Sequence, residues 1–572
     1  MRVSLPIVGD IEISRHRKRP RKDVEVTAEL GQLVSDAQTA LAKRHTSWKT
    51  FDEYYFGEQK INKDVNYDVV ENRDMYPLNY CMSTVETMIP ILLDAAPMWY
   101  VLQEGVGQGS PLVEDATMFL QAFWHYAKID HTLEEVCRDM IVYGTGVGKV
   151  YWDSEKMPVE RMAERVEIVT DEETGEANFQ TITETEEERL GDVAIEWCDP
   201  FSIFPDPNAR RLDECRYVAL KTELSKEDLQ RQFEWLDEDD IATVSGSDRQ
   251  RLRPREQEEK RTDLAEVWEV YHEFGQKLTI YTGSTILYEG DNPMPGKRFP
   301  VVFFTNRRRG GWMFGQSCIN DIMATQDFLN LANVHVATNM RYAMNPQLLT
   351  NDPKLKEYTN KPGGVVYVES KIRGEKGFAE WQEIPELPSS LFIYMDRLQR
   401  TLDVQSGVHD VMEGVKPKGI TSGIALAQLN EGAQGRLRLL IRSMAKSIED
   451  MGQLVLDMMV ANYAEDRSIA QYEGESPEVV SLGVTSLPKL GGSQYRVIVQ
   501  GRGELPLNPA AQLDIAMQLY GAGVIDQVEL LKVAKWPNPN EVVSRMQQAQ
   551  MEQMAGAAQA QGLQMMPSQE AM

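Results

Sequence analysis

"GVHDVMEGVKPKGITSGIALAQLNEGAQGRLRLLIRSM" (residues 407–444) joins glycines, two lysines and a Thr-Ser pair to a long helical pattern. Two readings compete: a loop that grips a nucleotide phosphate, or a loop hung on a helix with a mechanical task. A P-loop needs Lys and Ser/Thr directly after its second glycine, so that the ammonium reaches the terminal phosphates. Here Gly419 is followed by Ile420, and Pro417 removes an N–H where a phosphate cradle needs donors. The nucleotide reading fails at those two positions. From Ser422 onward, Leu426, Leu429, Ala433, Leu437, Leu440, Met444, Ile448, Met451, Val455 and Met458 step by three and four. That is one apolar helical stripe over about nine turns. Gly432, Gly435 and Gly452 interrupt it. Each costs about 1 kcal/mol against Ala, so kinks are expected there.

Upstream lie two helices around a small insert. "QSCINDIMATQDFLNLANVHVATNMRYA" (316–343) has no proline and stops at "MNPQLL", where Pro346 forbids continuation. A strand-and-turn stretch (350–388) follows, then a second helix, "SSLFIYMDRLQRTLDVQSG" (389–407). The insert therefore sits at the far end of a helical pair. Nearer the N-terminus, residues 24–56 keep a helix period at Leu30, Leu33, Val34, Ala37 and Leu41. Residues 78–95 and 111–143 are two more helical stretches. The period then changes to alternation in "KVYWD" (149–153), in 164–186 and in "DVAIEWCDP" (192–200), with "DEETGE" as a hairpin turn. Ser225 stands as the cap of a short helix at "SKEDLQRQF" (225–233), and strands resume between 264 and 306. The tail from 507 reads as helix, turn and helix, and 540–572 is rich in Gln, Met and Ala. The fold class is α+β, mainly helical.

With 572 residues, 42% of them hydrophobic, the chain can bury several packed units. The net charge of −28 excludes a protein that coats DNA, because such proteins carry basic surfaces. It leaves open a protein that lets DNA pass, since a surface that repels phosphate does not hold it. The five cysteines are scattered, with no CxxC pair, so neither a disulfide frame nor a zinc site is expected. "MIPILLDAAPMWYVL" (88–102) is too short to span a membrane and is broken by Pro90, Asp94 and Pro97. The basic run "RHRKRPRK" (15–22) has no apolar segment behind it. It reads as a solvated arm, with contact to nucleic acid or a partner as the alternative.

Chemical motifs are sparse. "GTGVG" (144–148) runs helix–loop–strand, the reverse of a dinucleotide site, and reads as a tight turn. His125 and His131 are six apart with no third ligand near. No GxSxG, HExxH or Cys–His arrangement occurs. The expectation is a protein with no catalytic site, metal or cofactor.

Several stretches together resemble the portal proteins of tailed bacteriophages, the head-to-tail connectors. "WKTFDEYYFGEQ" (48–59) is similar to the N-terminal portal helix and its exit, and "NYCMSTVETMIPILLDAAP" (79–97) to the segment after it. "VYGTGVGKVYWD" (142–153) and "WCDPFSIFPDPNARRLDECRYV" (197–218) resemble wing strands. "FGQSCINDIMATQDFLNLANVHVATNMRYAMNP" (314–346) resembles the first stem helix. "SGVHDVMEGVKPKGITSGIALAQLNEGAQGRLR" (406–438) resembles the tunnel loop and the helix behind it.

The resemblance implies a portal fold with a β-rich wing and a small β-containing clip, in a ring of about twelve copies around a channel. It divides the chain into a basic arm (1–23), wing (24–312), first stem helix (313–343), clip (344–388), second stem helix (389–405), tunnel loop (406–421), long kinked helix and wing return (422–504), crown (505–539) and tail (540–572). The ring would sit at one vertex of the virion capsid, after assembly in the host cytoplasm, and conduct double-stranded DNA in packaging and ejection. His409, Lys416 and Lys418 would meet DNA in the channel; a plainer reading makes the lysines solvated loop residues. Lys354, Lys356, Lys361, Lys371, Arg373 and Lys376 would form a mixed-charge clip rim. That rim would dock the terminase large subunit and then tail adaptor or head-completion proteins. Leu426, Leu429, Leu437, Leu440, Met444 and Ile448 would pack against a neighbouring copy or the wing. Major capsid and scaffolding proteins complete the implied partners, with no membrane. Packaging work would come from a separate terminase ATPase. The rival readings are an ATP-driven nucleic-acid enzyme or motor subunit, which the absent Walker motif disfavours, and a cytosolic scaffold oligomer unrelated to DNA.

Overall fold

In a computed structural model of the chain, the described residues are 2–5, 9–12, 24–59, 77–94, 98–103, 111–154, 156–170, 177–233, 236, 241, 264–350, 364–367, 379–383, 386–407, 435–472, 477–483, 495–499, 509–534, 542–543 and 545–546. At the N-terminus, β1 (Arg2–Leu5) and β2 (Gly9–Glu12) form a short antiparallel hairpin, and the basic run 15–22 read as a solvated arm lies outside the described residues. Helix α1 (Val24–Tyr55) buries Leu30, Val34, Ala37, Leu41, Trp48 and Phe51, a stripe that keeps the helix period. Then come α2 (Tyr80–Asp94), β3 (Trp99–Gln103), α3 (Pro111–Tyr126) and α4 (Ile129–Val142). Residues 111–143 are thus two helices and not one. The chain breaks at Lys128, which takes a left-handed conformation (φ 52°) before α4.

Next is β4 (Thr145–Asp153), which begins directly after Gly144 (φ +85°). Of the three glycines read as one turn, only Gly144 turns the chain. Gly146 lies in the strand, where a Cβ would stand 2.0 Å from the Val136 carbonyl oxygen of α4. Its lack of a side chain is what lets sheet and helix meet. A long antiparallel ribbon, β5 (Pro158–Thr170) and β6 (Ala177–Arg189), leaves and returns beside the end of β4. After it run β7 (Asp192–Cys198), β8 (Ile203–Pro205), β9 (Val218–Ser225), α5 (Lys226–Gln232), β10 (Leu264–His272), β11 (Lys277–Thr282), β12 (Thr285–Asp291) and β13 (Val301–Thr305). Ser225 occupies the N-cap position of α5, but its side chain makes no capping bond. Strands β8 to β12 form one antiparallel meander, and β13, β4 and β7 form a second sheet with β4 central.

The short hairpin β14 (Arg307–Arg308) and β15 (Gly315–Gln316) leads into α6 (Cys318–Met344). Ser317 caps α6 by accepting from the Asn320 N–H, and the helix ends two residues before Pro346. A three-stranded sheet follows, with β16 (Leu348–Thr350) between β17 (Val365–Tyr367) and β18 (Ala379–Trp381). Helix α7 (Ser389–Ser406) runs back along α6 and stops at Gly407, which takes φ 81°.

Helix α8 (Gly435–Asn462) lies against β13, β4, β7 and the late strand β21. After it come β19 (Arg467–Tyr472), β20 (Pro477–Leu482), β21 (Tyr495–Val499), α9 (Pro509–Gly521) and α10 (Gln527–Val533). Leu437, Leu440, Met444, Ile448, Met451, Val455 and Met458 are buried, each worth about 1.5–3 kcal/mol relative to exposure. The helix passes through Gly452 as a single element, against the expected kink. A Cβ there would stand 2.5 Å from Trp99 Nε1, and that indole N–H donates to the Ile448 carbonyl at 2.8 Å. Gly452 makes room for the Trp99 ring. Gly435 begins the described helix; Gly432 lies outside the described residues.

Candidate functional site

The α6–α7 pair projects from the body and is held at its root by buried polar groups. Gln326 is fully buried and Asn330 nearly so. Gln326 donates to the Leu78 carbonyl and to Asn330 Oδ1; Asn330 Oδ1 also accepts from the Leu78 N–H, and Asn330 Nδ2 donates to Gln59. Tyr54 of α1 donates to Asp327 at 2.5 Å, and burial first, then this carboxylate, pushes its phenol pKa far up. Gln326 Oε1 is buried without a partner, while the bonded amide groups tie α6 to residues 59 and 78, and slipping the helix would strand those groups as well. This root falls on the stretches at 48–59 and 314–346. Sequence reasoning missed Gln326 and Asn330. The available signal is two amides four apart, in phase with Ile319, Ile322 and Leu329 on one helix face.

Farther out the pair is bare. The buried residues of α6 end at Val334, and only Leu398 and Leu402 are buried on α7. Met344 is 80% exposed and Ile393 is 70% exposed, with Met340, Phe392 and Tyr394 also open.

Two further features frame the body. Where β4 and β10 face each other, Lys149 Nζ lies 3.1 Å from both Glu269 carboxylate oxygens, and Tyr271 donates to the same carboxylate. Burial raises the Glu269 pKa, while the Lys149 charge pulls it back. At the outer end of β4, buried Arg467 donates to the carbonyls of Leu190 and Gly191, and its guanidinium lies over the Tyr463 ring at 4.9 Å. It thereby clamps the root of the β5–β6 ribbon to the end of α8. Tyr463 in turn donates to Asp192.

Leu437, Leu440, Met444 and Ile448 come together beneath the wing sheet, buried within this one chain. Leu426, Leu429, His409, Lys416 and Lys418 lie outside the described residues, as do Lys354, Lys356, Lys361, Lys371, Arg373 and Lys376. Burial pushes the thiols of Cys81, Cys137, Cys198 and Cys215 up to about 12, so they stay protonated at neutral pH. Among the described residues, no group of three or more His, Cys, Asp or Glu is placed to hold a metal, and no helix is long and apolar enough to cross a membrane.

The described residues thus form an α+β body that carries a helix pair with a small sheet between its two helices. A family model described as phage SU10 portal protein matches residues 114–479, more than half of the chain. The chain belongs to this family and is a phage portal protein. The match runs from α3 through the ribbon, the helix pair and α8 into β20. No curated protein matches the chain.

Proposed function

We propose that this portal protein assembles into a ring of about twelve copies at one capsid vertex and conducts double-stranded DNA during packaging and ejection. In this reading α6 and α7 are the stem, residues 344–388 the clip, 406–421 the tunnel loop and 505–539 the crown. The clip docks the terminase large subunit, then tail adaptor or head-completion proteins. The capsid-side face meets major capsid and scaffolding proteins. The observation that carries the proposal is the bare outer half of the α6–α7 pair in a portal-family chain. Apolar side chains on two packed helices, left uncovered by their own subunit, fit burial between neighbouring copies. The acidic balance of the chain suits passage of DNA better than grip, because each neutralised phosphate adds affinity and slows sliding. Negative-stain imaging and native mass spectrometry of the purified full chain test it. A closed ring with a central hole is expected. A monomer at micromolar concentration, or a particle without a hole, overturns it.

A further inference from the structure

Among the described elements, the β5–β6 ribbon pairs extensively only with itself. Thirteen cross-strand pairs, from Pro158 opposite Arg189 to Thr170 opposite Ala177, give it a length of about 40 Å. No other described element packs along it. Two strands alone are marginal in water, so a ribbon of this length calls for a surface to lie on. Its sequence says what kind. Residues 158–189 hold eleven Asp and Glu against three Arg. The register sets Glu160 opposite Glu187, a like-charge pair that destabilises a ladder, and puts one cation, Arg189, on the same face against Glu160, Glu164 and Glu187. The same register places Val166, Ile168 and Phe179 on the face that carries Glu160, Glu164 and Glu187. The complementary surface is therefore basic and partly apolar.

The turn between β14 and β15 has that chemistry. Arg307, Arg308 and Arg309 are exposed in a chain of net charge −28, and Trp312 beside them is 54% exposed. Arg44 of α1 stacks beneath Trp312, with its guanidinium 5.3 Å from the ring centroid. Arg307 pairs with Asp321, and Arg308 donates to Thr305, so the turn is anchored on α6 and β13.

The topology keeps these two surfaces apart within one subunit. Thr305, two residues before the arginine turn, pairs with Thr145 at the start of β4. The ribbon is rooted at the other end of β4, where Asp153 pairs with Asp192. Nine residues of strand, about 30 Å, separate them. Complementary patches at opposite ends of a subunit define a head-to-tail contact, the kind that closes a ring.

We propose that the β5–β6 ribbon of one subunit docks on the Arg307–Trp312 turn of the next copy. The inference rests on the ring reading and adds to it a charged contact in the wing, distinct from the apolar helix pair. The test uses the full chain. Glu160→Lys, Glu164→Lys and Glu187→Lys reverse that face of the ribbon; Arg308→Glu and Arg309→Glu reverse the turn and leave the Arg307–Asp321 pair in place. Ring fraction against protein concentration is read by native mass spectrometry and sedimentation at low salt, with a circular-dichroism melt as the folding control. Each reversal should raise the concentration for half-assembly about tenfold, and the combined reversal should restore it. Added salt should weaken native assembly in the same direction. Folded single reversals that assemble like the native chain overturn the inference, as does a combination that fails to rescue. Loss of binding to a DNA duplex by the arginine variant, with assembly unchanged, assigns the turn to nucleic acid and also overturns it. Absence of rings in the native chain would instead defeat the ring reading itself.

Discussion

Helices α8 and α7 use similar residues and finish differently. On α8, the stripe from Leu437 to Met458 is covered by the strands of its own subunit. On α7, Phe392, Ile393 and Tyr394 stand in solvent, and the buried residues are Leu398 and Leu402 in the inner half. Amphipathic pattern alone does not distinguish the two, because a stripe reports that something will cover it and not which chain does. The structure separates them. α8 belongs to the folding of the subunit, and the outer α6–α7 pair is the surface that the proposed ring would use for assembly.

The sharpest way to break this contrast is a charge in each helix. Leu437→Asp should destabilise the monomer by about 4–5 kcal/mol, because it places an unpaired carboxylate among apolar groups. Ile393→Asp should leave monomer stability within about 0.5 kcal/mol and remove ring formation. Urea melts and native mass spectrometry read the two effects. A large loss of monomer stability from Ile393→Asp would show that α7 is core after all.

A slightly smaller effect is expected at the buried ion pair. Lys149→Met should cost about 3 kcal/mol, since Glu269 is left in the interior without its cation. The Lys149→Met, Glu269→Leu double variant should regain most of it. The pH dependence carries a sign. Burial already raises the Glu269 pKa, and loss of Lys149 raises it further. A carboxyl with a higher pKa folded than unfolded contributes stability that is full below the unfolded value and fades as pH rises through the folded one. The deficit of Lys149→Met against the native chain should therefore be smallest near about pH 4 and grow toward neutral. A deficit that is flat from acid to neutral pH would mean Glu269 stays charged without Lys149.

Gly452→Ala should cost about 1–3 kcal/mol by overpacking against Trp99, with ring formation preserved. A neutral result in a thermal melt would show that the indole has room to retreat. The smallest effect on stability belongs to Lys416→Ala with Lys418→Ala. Monomer melts and rings should be unchanged, while DNA packaging in assembled particles falls in a salt-sensitive way. Unchanged packaging would make these lysines spectators.

Local chemistry made much of this fold legible. The stop before Pro346 and the stripes of α1 and α8 follow from backbone and periodicity, whereas the cap read at Ser225 makes no side-chain bond and the working cap at Ser317 was not read. The break at Lys128 was not legible, because the sequence on both sides of it reads as helix. The glycines at 146 and 452 misled for a common reason. Their role is to admit a distant backbone or an indole, and nothing beside them in sequence announces that neighbour. Gln326 and Asn330 were passed over because an amide on an apolar face reads as exposed until Gln59 and Leu78 arrive from far up the chain. The candidate DNA and docking residues rest on resemblance and lie outside the described residues, so the body is what the structure adds.

The pairing of Trp99 with Val499 has a consequence for synthesis. Strand β3 waits 400 residues for β21, and until then the Trp99 indole and α8 lack their last cover. At about 5–20 residues per second, that wait on the ribosome is roughly 20–80 seconds. The bare helices α6 and α7 emerge well before the body around them is complete. A nascent subunit thus presents the surface proposed for assembly before its own core is closed, and a chaperone that shields residues 318–407 during translation would protect it from premature association.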